Sequence, residues 1–341
     1  MPHPATNPSG RPAAATFVRV YGFLLVALAL ECAVFEIIAR SQGIRPFLSV
    51  DNLILILNQS AIYGVVSVGM TFVIIAGGID LSVGSLIAFG GVVGALVTRA
   101  MADALVTRAV ADAEWWALAG GWAVALAAGL AAGCFSGLFI TRFQIPPFIA
   151  TLAIMSSVRG AGYLMVGGSP VSDLPADYIF LGRHNIAGHV PVSVIVMLAA
   201  FIGGGILLNS TPFGRHVRAI GGGEESARLS GVPVNRVKWI VYCMCSVLAI
   251  VGGLILSSKM RSGDPTVGVG DELQVIAAVV VGGTSLSGGR GTIMGTFIGL
   301  LIIAVLATGL TWIGMESFGQ QVILGIVILA AVLMDRFKGA A

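Results

Sequence analysis

The chain has 341 residues, of which 57% are hydrophobic and 10% charged, with 47 glycines and a formal net charge of +3. A soluble domain carries roughly 25% charged residues, so this sequence lacks the polar surface needed to fold in water and its medium is lipid. The small positive charge is scattered, which argues against a nucleic-acid partner, and Cys32, Cys134, Cys243 and Cys245 lie in apolar stretches without metal-ligand or disulfide-framework spacing.

Residues 1–16 are polar and Pro-rich and are expected to form a disordered cytoplasmic tail. The apolar run that follows holds Glu31 and Glu36 and no convincing small-residue cleavage site, so it reads as a retained first helix rather than a signal peptide. A spanning helix needs about 20 mostly apolar residues. By that rule the spans are 18–39, 53–76, 84–101, 116–141, 147–167, 190–209, 237–257, 272–283, 291–311 and 319–335. The fold class is an all-α polytopic membrane protein with about ten transmembrane helices, forming one membrane domain over 17–338. Segment 272–283 is short for a crossing and reads either as a span that borrows from its flanks or as a broken or re-entrant element.

Lys and Arg bias orients the chain. With both termini inside, eleven of these residues fall on the inner side and seven outside, and Arg159 lies within a span. Two stretches echo each other, GGIDLSVGSLIAFGGVVGAL (77–96) and GGTSLSGGRGTIMGTFIGLL (282–301), with eight of twenty positions identical. Each holds a small-xxx-small pair, Gly90/Gly94 and Gly295/Gly299, suited to close helix approach. The echo points to an internal structural repeat, between whose halves transport sites tend to lie. The span count puts both Gly-Gly loops on the same side.

The longest hydrophilic stretch on the inner side is 210–236, STPFGRHVRAIGGGEESARLSGVPVNR. It is helix-forming around 224–230, with glycines 221–223 before and Gly231 and Pro233 after. Glu224 and Glu225 open that helix, where the dipole favours negative charge. Such a short helix suits a soluble partner's grip, although a solvated basic loop would look similar. The pattern Glu225-Ser226-Ala227-x-x-x-Gly231 resembles the EAA-type loop of ABC importer permeases, with Ser226 at a position that is usually Ala. Together with GMTFVIIAGGIDLSVGS (69–85), PPFIATLAIMSSVRGAGYLM (146–165) and DELQVIAAVVVGGTSLSGGRGTIMG (271–295), it makes residues 50–336 similar to the ribose/xylose/arabinose/galactose permease family.

That resemblance implies a sugar-importing permease of the bacterial inner membrane that works as a homodimer with cytoplasmic ABC ATPases and an extracytoplasmic sugar-binding protein. The ATPase-coupling loop would be Glu224, Glu225, Ser226, Ala227 and Gly231. No G-x-x-x-x-G-K-[ST] phosphate loop occurs in the chain, so no cofactor is expected on it and ATP would be bound by the partner. A branched-chain amino acid ABC permease and an ion-driven secondary transporter are the alternatives. The latter would want several intramembrane carboxylates in relay, whereas Asp80 is the one well-placed internal acid.

Asp80 follows Gly77-Gly78, and either it or Ser82 is expected to cap a helix beginning near Val83. An acid at membrane depth also suits a translocation path, for which Asp80, Ser82, Asn58, Gln59, Arg159 and Gln320 are the candidates. Arg159 needs a partner at that depth, and Asp80 is one. Asn58, Gln59, Gln320 and Gln321 are equally suited to holding helices together. The Gly- and Pro-rich stretch 258–271 reads as an external loop.

Overall fold

Each apolar run long enough to cross a membrane forms a helix, because a backbone surrounded by lipid must satisfy its N–H and C=O groups within its own segment. The structure, a computed structural model, describes residues 13–107, 112–186 and 188–339. In chain order the membrane helices are α1 (Ala13–Ser41), α2 (Val50–Ile75), α3 (Val83–Thr107), α4 (Ala113–Arg142) and α5 (Pro147–Val166). The one-turn α6 (Phe180–Arg183) precedes the spanning α7 (Val192–Ser210), which leads into the short α8 (Pro212–Gly222) and α9 (Glu224–Leu229). The chain returns through α10 (Val234–Met260), α11 (Asp271–Val281), α12 (Ile293–Trp312) and α13 (Ser317–Gly339). Eight of these are long and apolar enough to span a bilayer, and α13 carries a shorter apolar stretch, Ser317–Leu333. α1 begins at Ala13, so the last four residues of the expected tail are helical, and residues 1–12 lie outside the described residues.

Local sequence sets the ends. Ser49 caps α2 by accepting from Asn52 N, and Thr292 caps α12 by accepting from Gly295 N at 3.0 Å. Pro147 opens α5, and Gly167 at φ +62° closes it. The buried centre forms where α10 packs against α2, α3 and α4, around fully buried Met70, Phe72, Leu86, Ile87 and Ile250. Cys134 and Cys243 bring their sulfurs to 3.6 Å where α4 meets α10. A second apolar cluster, Phe35, Phe47, Ile56, Val305 and Leu310, seats α1 against α12.

The short segment α11 is half a crossing. Its 11 residues rise about 16 Å, against a hydrocarbon core of about 30 Å. The rest of that passage is irregular chain of turns and bends packed against α3, which corrects the reading of 258–271 as an external loop. α10 continues to Met260, and the following residues re-enter the bundle along α3. Gly263 pairs with Val171 through two backbone bonds and lies against Val92 and Ala95. Five residues on, Gly268 is so close to Gly84 that a Cβ would stand 2.2 Å from the Gly84 carbonyl oxygen. Outside the bundle, α6 is strapped to the end of α10. Gly182 N donates to Ser258 Oγ, and Arg183 Nε donates to the Lys259 carbonyl at 2.6 Å.

The two Gly-Gly loops meet at one end of the bundle. Gly289 N donates to the Ile75 carbonyl at 2.8 Å, and a Cβ on Gly288 would lie 3.1 Å from Gly77 Cα. The repeat is therefore not inverted: α2 and α11 both run into their loops in the same sense. Its glycine pairs serve close approach on both sides, to different partners. Gly90 and Gly94 accept Ile250 and Leu254 of α10, whereas Gly295 and Gly299 accept the backbone of Gly282 and Ala278. Thr71 and Thr296 hydroxyls join the two halves at 2.8 Å.

Candidate functional site

Two places combine exposed or cavity-lining polar groups with an architecture that holds them still. The first is the α8–α9 module. Thr211 caps α8 by accepting from Gly214 N, and Pro212 starts the helix with its φ preset. The sequence indicated a helix only near 224–230; the amphipathic α8 before it was missed, although its apolar Val217 and Ile220 at helical spacing are its signal. α9 follows at Glu224, as expected. Glu224 faces Lys238 of α10 and Arg228 of its own helix, while Glu225 is largely exposed, with Arg228 at 3.7 Å. Ala227 is buried at 5% exposure and anchors α9 to the bundle. The Ser226 carbonyl accepts from Ser230 Oγ.

Gly231 ends α9 by a specific device. Its N–H bonds the Arg228 carbonyl, Val232 N bonds the Ala227 carbonyl, and Gly231 itself sits at φ +82°. That is a Schellman closure, in which a residue without Cβ occupies the left-handed position. The α8 end touches both halves of the repeat. A Cβ on Gly221 would lie 1.8 Å from the Ile75 oxygen and 2.3 Å from Gly289 N. The module thereby lies in direct backbone contact with the loops that follow α2 and α11.

The second place is a cavity bounded by α2, α11, α12 and α13. A chamber of ≈ 50 Å³ lined by Gln59, Tyr63, Gln274 and Thr308 adjoins one of ≈ 180 Å³ lined by Ser317, Gln320 and Gln321, and the two share Gln274, Ile303 and Ala307. Tyr63 OH donates to Asp271 Oδ1 at 3.3 Å, which places the first residue of α11 beside the middle of α2. Gln320 Nε2 donates to the Thr311 hydroxyl and to the Met315 carbonyl at 2.9 Å. Gln59 and Gln320 of the sequence candidates thus meet here. Tyr63, Asp271, Gln274 and Thr308 were missed. Asp271 and Gln274 are one turn apart on α11, a signal that reading 258–271 as external hid.

The other candidates lie elsewhere. Asp80 and Ser82 are fully buried and bond to each other: Asp80 Oδ1 accepts from Ser82 N at 2.9 Å and Ser82 Oγ at 2.6 Å. Ser82 in turn supplies the carbonyl for the first bond of α3, from Leu86 N. Asp80 thus holds the helix start in place, and neither residue lines the cavity. Arg159 is not paired with Asp80. Its guanidinium donates to the carbonyls of Val267 at 2.5 Å, Gly268 at 3.0 Å and Pro265 at 3.4 Å, so its partners are the backbone groups that the re-entrant segment leaves without a ladder. Asn58 Oδ1 accepts from Ser193 Oγ at 2.8 Å, and its carbonyl accepts from Lys259 Nζ, which ties α2 to α7 and α10. Just before α6, burial pushes the Tyr178 phenol up to about 12, so it stays a neutral partner for Ser257.

A helical membrane domain with a broken crossing, an internal cavity carrying amides and hydroxyls among apolar residues, and a two-helix module in backbone contact with both Gly-Gly loops is a transport permease. Residues 52–332 match the family model described as "Branched-chain amino acid transport system / permease component", and the chain belongs to that family of permease components. It is 44% identical to the ribose import permease protein RbsC of Bacillus subtilis over 86% of this chain and 87% of that protein. Against RbsC of Escherichia coli K12 the identity is 39%, over 90% and 92% of the two chains. The L-arabinose transport system permease protein AraH of the same strain is 36% identical over 99% of this chain and 98% of its own length. No solved structure gives a significant match.

Proposed function

We propose that the protein is the membrane-spanning subunit of an ATP-driven importer for a monosaccharide or related polyol. The observation that carries this reading is the 36–44% identity, over nearly the whole chain, to permeases named for ribose and arabinose import. The family description names branched-chain amino acids, but those near-full-length relatives favour a sugar. The cavity's chemistry agrees with it. Its polar lining comprises amides and hydroxyls, which can both donate and accept and so suit a neutral polyhydroxylated solute. A zwitterionic amino acid would want paired charges there.

In this mechanism a cytoplasmic ABC ATPase grips α9 at its exposed Glu225, with Gly231 fixing the helix end. Closure of the ATPase dimer shifts α8–α9, and Gly221 passes the shift to Ile75 and Gly289, hence to both Gly-Gly loops. The loops carry α11 and α12 relative to α2 and open the chambers in turn, so access alternates across the membrane. Both termini lie in the cytoplasm, an extracytoplasmic sugar-binding protein delivers the solute, and a second copy of the chain completes the pair. Among the sequence candidates, Gln59 and Gln320 line the path, while Asp80, Ser82, Asn58 and Arg159 support it.

The test is a pull-down of the tagged protein from its native membrane in mild detergent, with mass spectrometry of what co-purifies. Recovery of a phosphate-loop ATPase together with a secreted binding protein that takes up a monosaccharide is the expected result. Reproducible recovery without an ATPase, where a control importer stays intact, would overturn it.

A further inference from the structure

A groove unrelated to the polar cavity runs between α7 and α12. It holds ≈ 430 Å³ and presents Leu198, Ile202, Gly205 and Ile206 of α7 opposite Met294 and Phe297 of α12. Phe201 and Phe297, packed edge to face at 5.0 Å, form its floor. The α7 residues recur at the three- and four-residue spacing of one helix face. Ile202 and Ile206 are 64% and 57% exposed, so the floor is built and the walls are open.

Two features say what fills it. First, the groove extends from Leu198 to Asn209 and Ser210 at the end of α7, about 16 Å along the helix axis, which is one half of a bilayer's ~30 Å hydrocarbon core. A second transmembrane helix would need a groove across the full thickness; an acyl chain from one leaflet needs half. Second, the mouth is cationic and polar. Arg218 Nη2 donates to Asn209 Oδ1 at 2.7 Å and Nη1 to the Leu208 carbonyl at 2.8 Å, so a guanidinium is fixed at the opening. Arg215, one turn earlier on α8, is exposed, as is Arg290 on the loop that leads into α12. Arginine at that level favours a phosphate diester through charge-assisted bonds.

We infer that this groove is a binding site for an anionic phospholipid of the leaflet on the α8–α9 side. One acyl chain lies over Phe201 and Phe297, and the phosphate sits beside Arg218 and Arg215. Because Arg218 belongs to α8, the lipid headgroup also contacts the module that moves in transport.

Gly205 provides a test, since it lines the groove and a Cβ there meets nothing within 4 Å. The purified full-length permease is exchanged into mixed phosphatidylglycerol and phosphatidylethanolamine micelles, and retained lipid is read by native mass spectrometry. The expected result is retention of phosphatidylglycerol at least fivefold over phosphatidylethanolamine, reduced to near parity in Gly205→Phe and lowered in Arg215→Gln. Equal retention of both lipids by the unaltered protein would overturn the inference. So would full retention by Gly205→Phe, or a Gly205→Phe protein that loses self-association and keeps its lipid, which would give the groove to a second copy.

Discussion

The two echoing stretches, 77–96 and 282–301, share their glycines and their Leu-Ser pair yet are built differently on either side. The first is entered by α2, an unbroken helix of 26 residues; the second by α11, of 11 residues, preceded by irregular chain of turns and bends. Around the first, Asp80 and Ser82 are locked in a fully buried turn. Around the second, the missing half helix leaves room for the chambers lined by Gln274 and Gln320. The chambers therefore lie between the unbroken α2 and the side of the broken helix.

The comparison breaks most severely at Arg159. Arg159→Ala leaves three carbonyls of the re-entrant segment unpaired at membrane depth, a cost on the order of 5 kcal/mol. Loss of folded protein in detergent and of uptake is expected. Arg159→Lys recovers little, because a point charge cannot reach the three oxygens as a planar fork does. Thermal unfolding of both variants checks this.

Gly221→Ala strikes the junction of the halves. Its Cβ would fall 1.8 Å from the Ile75 oxygen, and overpacking of this kind costs about 2–3 kcal/mol. ATP-driven uptake in proteoliposomes should fall far more than ATPase recruitment in a pull-down, since α9 itself is untouched. Equal loss of both would put Gly221 outside the transmission route.

Gly231→Ala forces a Cβ into the left-handed region at φ +82°, at about 1 kcal/mol. The membrane helices stay folded, and ATPase co-purification weakens several-fold; unaltered co-purification and uptake would detach α9 from the partner. The smallest effect on stability is expected from Gln59→Leu and Gln320→Leu, roughly 0.6 kcal/mol each. Both should raise the KM for sugar uptake several-fold while leaving the unfolding temperature nearly unchanged. The same two substitutions thus separate residues that line the cavity from those that tie helices together, where Asn58→Leu should lower stability without a comparable change in KM.

The amino-acid sequence alone determined the medium, the helices and the kinship. Ten apolar segments lie within a few residues of the observed helices because burial in lipid allows little other than helix for such runs. The short segment 272–283 already carried its own anomaly in its length, and Gly231 with Glu224 marked α9 by ordinary start and stop signals. The partners of the buried polar groups were not readable. Arg159 finds carbonyls about 106 to 109 residues away, and Tyr63 meets Asp271 across 208. Such pairings depend on which helix faces approach, and side-chain spacing within one segment carries no record of its neighbour across the bundle. Only the tertiary structure could decide that Asp80 is a clasp, that 258–271 turns inward, and that the cavity lies between α2 and the side of the broken helix.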